Sequence, residues 1–170
     1  GMYSDLNILP PYCVVTVEEP AAPVVTAAVS FAAQQNGVFM MPPQFGMEVS
    51  SDTAENYGYT DQTDKETQVS TIDVLVAAHA VEFGDDFTKE TAREYLLADG
   101  NFITKMFGID NRGNVCLLVN GFQPGSNGVE QAVVGNGDFV ELFIYQNSEF
   151  TDKYVWLELE DGTRASTLGI

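Results

Sequence analysis

The chain has little of what reactive sites are usually built from. It holds two cysteines, Cys13 and Cys116, and one histidine, His79. Cysteines so far apart make no zinc signature, and a single histidine excludes a His-rich metal site within the chain. A Ser–His–Asp triad would need His79, and Gly125-Ser126-Asn127-Gly128 does not match a nucleophile elbow. His79 falls seven residues after Ile72, on the apolar face of a predicted helix, which suits a hydrogen-bonded core histidine better than a general base. Each cysteine sits in an apolar run, Cys-Val-Val and Val-Cys-Leu-Leu. They are expected as two buried thiols, which those neighbours favour, or as one disulfide tying an amino-terminal arm to the central strand.

Cations are scarce as well. Lys and Arg number 7 against 25 Asp and Glu, a formal charge of −18. A field of that sign repels phosphate backbones and anionic membrane surfaces, so neither nucleic acid nor membrane contact is expected. An acidic surface suits solubility in an extracellular or salty setting and otherwise reads as a solvated face. No apolar run reaches the ~20 residues of a membrane span. The opening GMYSDLNILPPYC lacks the basic start and apolar centre of a signal peptide. Gly1 ahead of Met2 looks like a cloning remnant, so a leader or anchor is expected to have been removed.

What is present is β-forming and rich in turns. With 45% hydrophobic residues the chain can close a core, and 170 residues fit one domain with an appended arm. Residues 1–23 hold four of the seven prolines around a short strand candidate at 12–17, and read as an extended arm or a linker. Residues 24–170 read as a single domain. Its opening strand, 24–34, meets the hairpin turn Asn36-Gly37; a return strand at 38–41 ends at Pro42-Pro43 and resumes at 45–49. Residues 51–67 are polar and acidic, and read as a long exposed loop. A helix then starts behind Ser70, with Asp73 completing a capping box, and predicts one buried face from Ile72, Leu75, Val76, Ala80 and Phe83. A second helix is predicted from Thr88, turning Ala92, Tyr95 and Leu96 inward and stopping at Gly100. Strands follow at 102–107, 115–119, 139–145 and 154–160, and Asp161-Gly162 turns the last into 163–168. The centre is 114–145, two strands joined by a crossing dense in Asn-Gly and Pro-Gly turns. The fold class expected is α+β: a mixed or antiparallel sheet on one main helix plus a short second one.

Known chemistries fit poorly. Asp61 and Asp64, or Asp110, Asn111 and Asn114, offer oxygens to calcium. The twelfth place counted from Asp110 is Gly121 and from Asp61 is Ile72, so neither closes an EF-hand with glutamate. There is no GxxxxGK loop and no GxGxxG after a strand. No metal and no cofactor is expected. Aromatics at positions where the chain should face water are more telling: Tyr57 and Tyr59 flank Gly58 in the 51–67 loop, and Phe122 follows the Asn120-Gly121 turn. Such rings stack on ligands at low entropic cost, and these three are the candidate ligand-binding residues.

Three segments carry a resemblance: STIDVLVAAHAVEF, GNFITKMFGIDNRGNVCLLVNGFQPGSNG and GNGDFVELFIYQ. With Thr71-Ile72-Asp73, Gly100-Asn101-Phe102-Ile103, Val119-Asn120-Gly121 and Gly137-Asp138, residues from roughly 24 to 146 resemble the transcobalamin-like carboxy-terminal domain family. The resemblance implies a β-grasp-like domain of the kind found in secreted or surface proteins of Gram-positive bacteria and in vertebrate cobalamin carriers. It implies a non-enzymatic binding or adhesion module at the cell surface or outside the cell, beside neighbouring domains of a longer protein. A corrinoid or a glycan is the candidate ligand, met by the 51–67 loop and the 120–128 crossing. A structural spacer is the rival function.

Overall fold

The sheet is organised on one ten-residue strand, β1 (Thr26–Gln35), in a computed structural model that describes residues 14–153 and 160–161. Ala27, Val29, Phe31 and Ala33 alternate toward the core, as a period of two requires. Asn36 and Gly37 both take positive φ (52° and 75°), the two-residue turn that suits a twisted hairpin, and β2 (Val38–Phe39) returns along β1. Pro42-Pro43 breaks this edge because proline has no N–H to donate, and β3 (Gln44–Ser50) resumes it beside the first half of β1. On the other side of β1 lies β10 (Phe139–Ile144), parallel to it, and β10 pairs antiparallel with β8 (Val115–Val119). The expected pair of core strands from 114–145 is therefore adjacent, with Val140 opposite Val119 and Ile144 opposite Val115. The fold is α+β, with a mixed sheet.

Two small sheets complete it. β4 (Val69–Ser70) pairs with β9 (Val133–Val134), and β5 (Leu97–Asp99), β6 (Phe102–Met106) and β7 (Ile109–Asp110) form a meander. This meander corrects the predicted second helix. Only one turn, α3 (Ala92–Tyr95), is helical. Gly100 is not its stop: Gly100 and Asn101 (φ 56° and 72°) turn β5 into β6. Their two positive φ values suit a two-residue hairpin turn. Ala92 and Leu96 are buried as expected.

The main helix, α2 (Thr71–Phe83), has the predicted capping box, with Ser70 Oγ accepting from the Asp73 N–H and the Asp73 carboxylate from the Ser70 N–H. Its burial exceeds the single face that the spacing predicts: residues 71–76 are all buried. Besides β1 and β3 of the sheet, α2 meets β4 and a one-turn helix, α1 (Thr53–Asn56), and these cover the sides that would otherwise be wet.

Residues 14–25 carry no strand, and Val14, Val15 and Val17 are exposed, so the strand candidate at 12–17 does not form over its described part. Glu160 and Asp161 lie in a turn; the rest of the expected strands at 154–160 and 163–168, with Gly162 and Cys13, fall outside the described residues. Among the described residues no helix is long and apolar enough to cross a membrane.

Packing of α2 predicts a contrast between two truncations on the same helix. Leu75→Ala, at a fully buried site, should lower unfolding free energy by about 2–5 kcal/mol. Val81→Ala, where the side chain is exposed, should change it by less than about 0.5 kcal/mol. Urea titrations of both measure this.

Candidate functional site

The 51–67 segment is not a free loop. Ser51 is fully buried; its hydroxyl accepts the Val25 N–H at 3.0 Å and donates to the Lys65 carbonyl at 2.6 Å. Further along, the Gln62 N–H donates to the Glu130 carbonyl at 2.9 Å. Tyr59 is consequently a core residue, 3% exposed, with its hydroxyl donating to the Leu96 carbonyl at 2.8 Å. Burial pushes this phenol up to about 12, and the Arg93 guanidinium lies 5.3 Å from its ring centre. The ring therefore does not face water as the flanking turn residues suggested. Tyr57 is half-buried and lies against Phe87, ring centres 5.0 Å apart. A polar local composition suggested a wet loop, but the deeply buried Ser51, Ala54 and Tyr59 anchor the segment from within.

His79 is the core histidine that its position predicts. A carbonyl, that of Leu75, lies 2.8 Å from Nδ1, and the Phe107 N–H points at Nε2 from 2.8 Å. An acceptor on one side and a donor on the other fix the neutral Nδ1–H tautomer. Burial holds the imidazole well below its usual range, at about 4. Phe107 stacks on the ring at 4.0 Å, and Phe83 and Phe87 flank it. Phe107 itself has φ of 51°, an uncommon conformation for a bulky residue, in the turn between β6 and β7.

The acids considered for calcium serve turns. Asp61 Oδ1 accepts the Thr63 N–H and hydroxyl, both at 2.8 Å, Asp64 Oδ1 the Glu66 N–H, and Asp110 Oδ1 the Arg112 N–H. Asn111 Oδ1 accepts the Gly113 N–H. Among the described residues no cluster of three His, Cys, Asp or Glu is placed to hold a metal.

A groove of about 500 Å³ runs between β6, β8 and the crossing after β8. Phe102 and Phe150 stand in it with 70% and 54% of their surfaces free, beside Tyr145, Leu117, Gln123 and Asn127. Phe150 meets Tyr145 edge to face at 5.0 Å. Cys116, a buried free thiol, lines the floor; Gln123 Nε2 donates to its sulfur at 3.6 Å. The wall is positioned by Asn101, whose Oδ1 accepts the Glu130 N–H at 2.9 Å and whose side chain lies against Gly128. A Cβ on Gly128 would come within 2.2 Å of Asn101 Cβ. None of the described lining residues is charged.

Of the three sequence candidates, Phe122 alone is open, 77% exposed, yet it is not among the residues lining the groove. The 120–128 crossing does contribute the groove's wall through Gln123, Pro124, Gly125, Asn127 and Gly128. Phe102, Tyr145 and Phe150 escaped notice because the first two lie in or beside strand runs, where aromatics normally pack. The alternation of Phe102 with buried Ile103 was the available signal. The resemblance motifs do turn work: Asn120 Nδ2 donates to Asp138 Oδ1, its Oδ1 accepts the Phe139 N–H, and Asp138 Oδ2 accepts the Gly135 N–H. No protein-family model matches the chain, and no curated protein matches it.

Two outcomes follow from this geometry. His79→Phe should cost about 1–3 kcal/mol by orphaning the Phe107 N–H. Because the folded pKa is depressed, the stability tied to neutral His79 is present above pH 6.5 and lost as pH falls toward about 4. The variant should lack that acid slope in denaturation measured across the interval. Gly128→Ala should displace Asn101 and destabilise the fold by about 1–3 kcal/mol, read by thermal melting.

Proposed function

We propose that this chain is a non-enzymatic binding module whose groove takes an uncharged, polar ligand, a neutral glycan before a corrinoid. The observation that carries this is the absence of charge from the described lining in a chain with 25 acids and 7 bases. Exposed aromatic faces beside carboxamides and glycine backbone suit a sugar, whose C–H faces stack on rings while its hydroxyls meet amides. A charged ligand would find no counter-ion there. The non-enzymatic character is supported by His79, which is sealed in the core with both nitrogens engaged. The setting proposed, in keeping with the transcobalamin-like resemblance, is a secreted or cell-surface bacterial protein with further domains.

A spacer domain is the second reading, and the packing of Tyr57 and Tyr59 favours it, since one of these two rings is interior and the other half-buried. A thermal-shift panel of neutral glycans, acidic glycans and corrinoids separates the two. A neutral glycan at a hundredfold its dissociation constant should add about 2.7 kcal/mol of stability. Phe102→Ala and Phe150→Ala should each weaken that binding about tenfold, a loss of ~1.4 kcal/mol. No response across the panel would leave the spacer.

A further inference from the structure

The amino terminus of α2 is one hydrogen short. Ser70 Oγ lies 2.7 Å from Asp61 Oδ2 and 2.9 Å from Asp73 Oδ2, while accepting the Asp73 N–H at 3.2 Å. A hydroxyl has one hydrogen to donate, so it can satisfy one of these carboxyl oxygens. With both carboxyls ionised, the other contact would set lone pairs face to face, at a buried contact with Asp73 or a partly buried one with Asp61. We propose that Asp61 and Asp73 share one extra proton across the Ser70 hydroxyl, and that this proton latches the segment around Asp61 to α2.

Donors and acceptors then balance. With the proton on Asp73, its carboxyl donates to Ser70 Oγ and Ser70 donates to Asp61. With the proton on Asp61, both bonds reverse. The other carboxyl valences are taken: Asp73 accepts the Ala54 N–H at 2.8 Å and the Ser70 N–H at 3.0 Å, and Asp61 Oδ1 serves Thr63. Burial pushes the Asp73 carboxyl up to about 7, the Asp61 charge adding to this, against the pull of the Ala54 and Ser70 N–H groups. The charged neighbours do not supply the missing hydrogen. Lys65 acts on Asp61 and Asp52 through space but is paired with Glu55 of α1. From the segment before β9, Glu130 accepts from Gln62 Nε2 at 2.7 Å and has its Oε1 without a partner among the described residues. His79 is held neutral two turns along α2 by its own bonds.

The sign is set by a folded pKa raised above 3.8: the associated stability is full below that pH and lost as pH rises through about 7. His79 runs the opposite way between about 4 and 6.5, so the two offset each other and the wild-type profile alone is a poor gauge. Asp61→Asn isolates the latch. Its Nδ2 would stand where Oδ2 was and donate permanently to Ser70 Oγ, while Oδ1 keeps Thr63. The difference in Tm between the variant and the wild type should grow in the variant's favour by several degrees from about pH 5 to about pH 8. The wild-type Ala54 and Gln62 amides should lose about tenfold in exchange protection over that range, and the variant's should not. In the wild type, NMR of the side-chain carboxyl carbons should show one Asp titrating near neutrality, and that titration should move toward the ordinary acid range in the variant. A Tm difference that does not change with pH, or wild-type Asp carboxyls that all titrate in the ordinary acid range, would overturn the shared proton.

Discussion

Helix α2 is buried around its first six residues, and that constraint governs the rest of the molecule. A polar group taken out of water must find a partner in the protein or cost several kcal/mol. The four polar side chains at Ser70, Thr71, Asp73 and His79 each find theirs on a different element. Thr71 Oγ1 donates to the Val129 carbonyl at 2.6 Å, Asp73 holds the Ala54 N–H of α1, Ser70 meets Asp61, and His79 takes the Phe107 N–H. The helix is therefore the junction through which the small sheets and the docked 51–68 segment are set relative to the main sheet.

This arrangement explains where ligand chemistry is available. The imidazole of His79 and the Asp73 carboxyl are engaged in structural hydrogen bonds in the interior. The open concavity lies instead where the β6 meander meets the edge of β8, and its wall at Gly128 and Val129 continues into residues 130–132, which are tied back to α2 through Thr71 and to the docked segment through Gln62. Charge follows the same division. Asp73, Glu130 and Glu141 are buried away from the groove, and the described groove lining is left with amides, rings and backbone.

Much of the frame was legible along the chain because its signals are local. Asn36-Gly37 dictates a hairpin, Pro42-Pro43 must interrupt an edge, Ser70 with Asp73 announces a helix start, and the β-branched and aromatic run at 139–145 marks a strand. Errors arose where one signal serves two structures. Gly100 ends a helix or begins a hairpin turn with equal right, and its neighbour Asn101 had to adopt positive φ to decide it. A polar stretch such as 51–67 reads as wet until a few buried anchors are seen to hold it down.

The sequence by itself determined the fold class, the turns, the cap and the fate of a lone histidine on an apolar helix face, because backbone preference and hydrophobic period act over a few residues. Only the tertiary structure decided which rings face water. Tyr59 went inside and Phe102 stayed out because burial depends on what arrives from elsewhere in the chain, Leu96 and Arg93 in the one case and open groove in the other. The meeting of Asp61, Ser70 and Asp73 was likewise decided in space, since one hydroxyl between two carboxyls is a fact of distance that spacing along the chain does not encode.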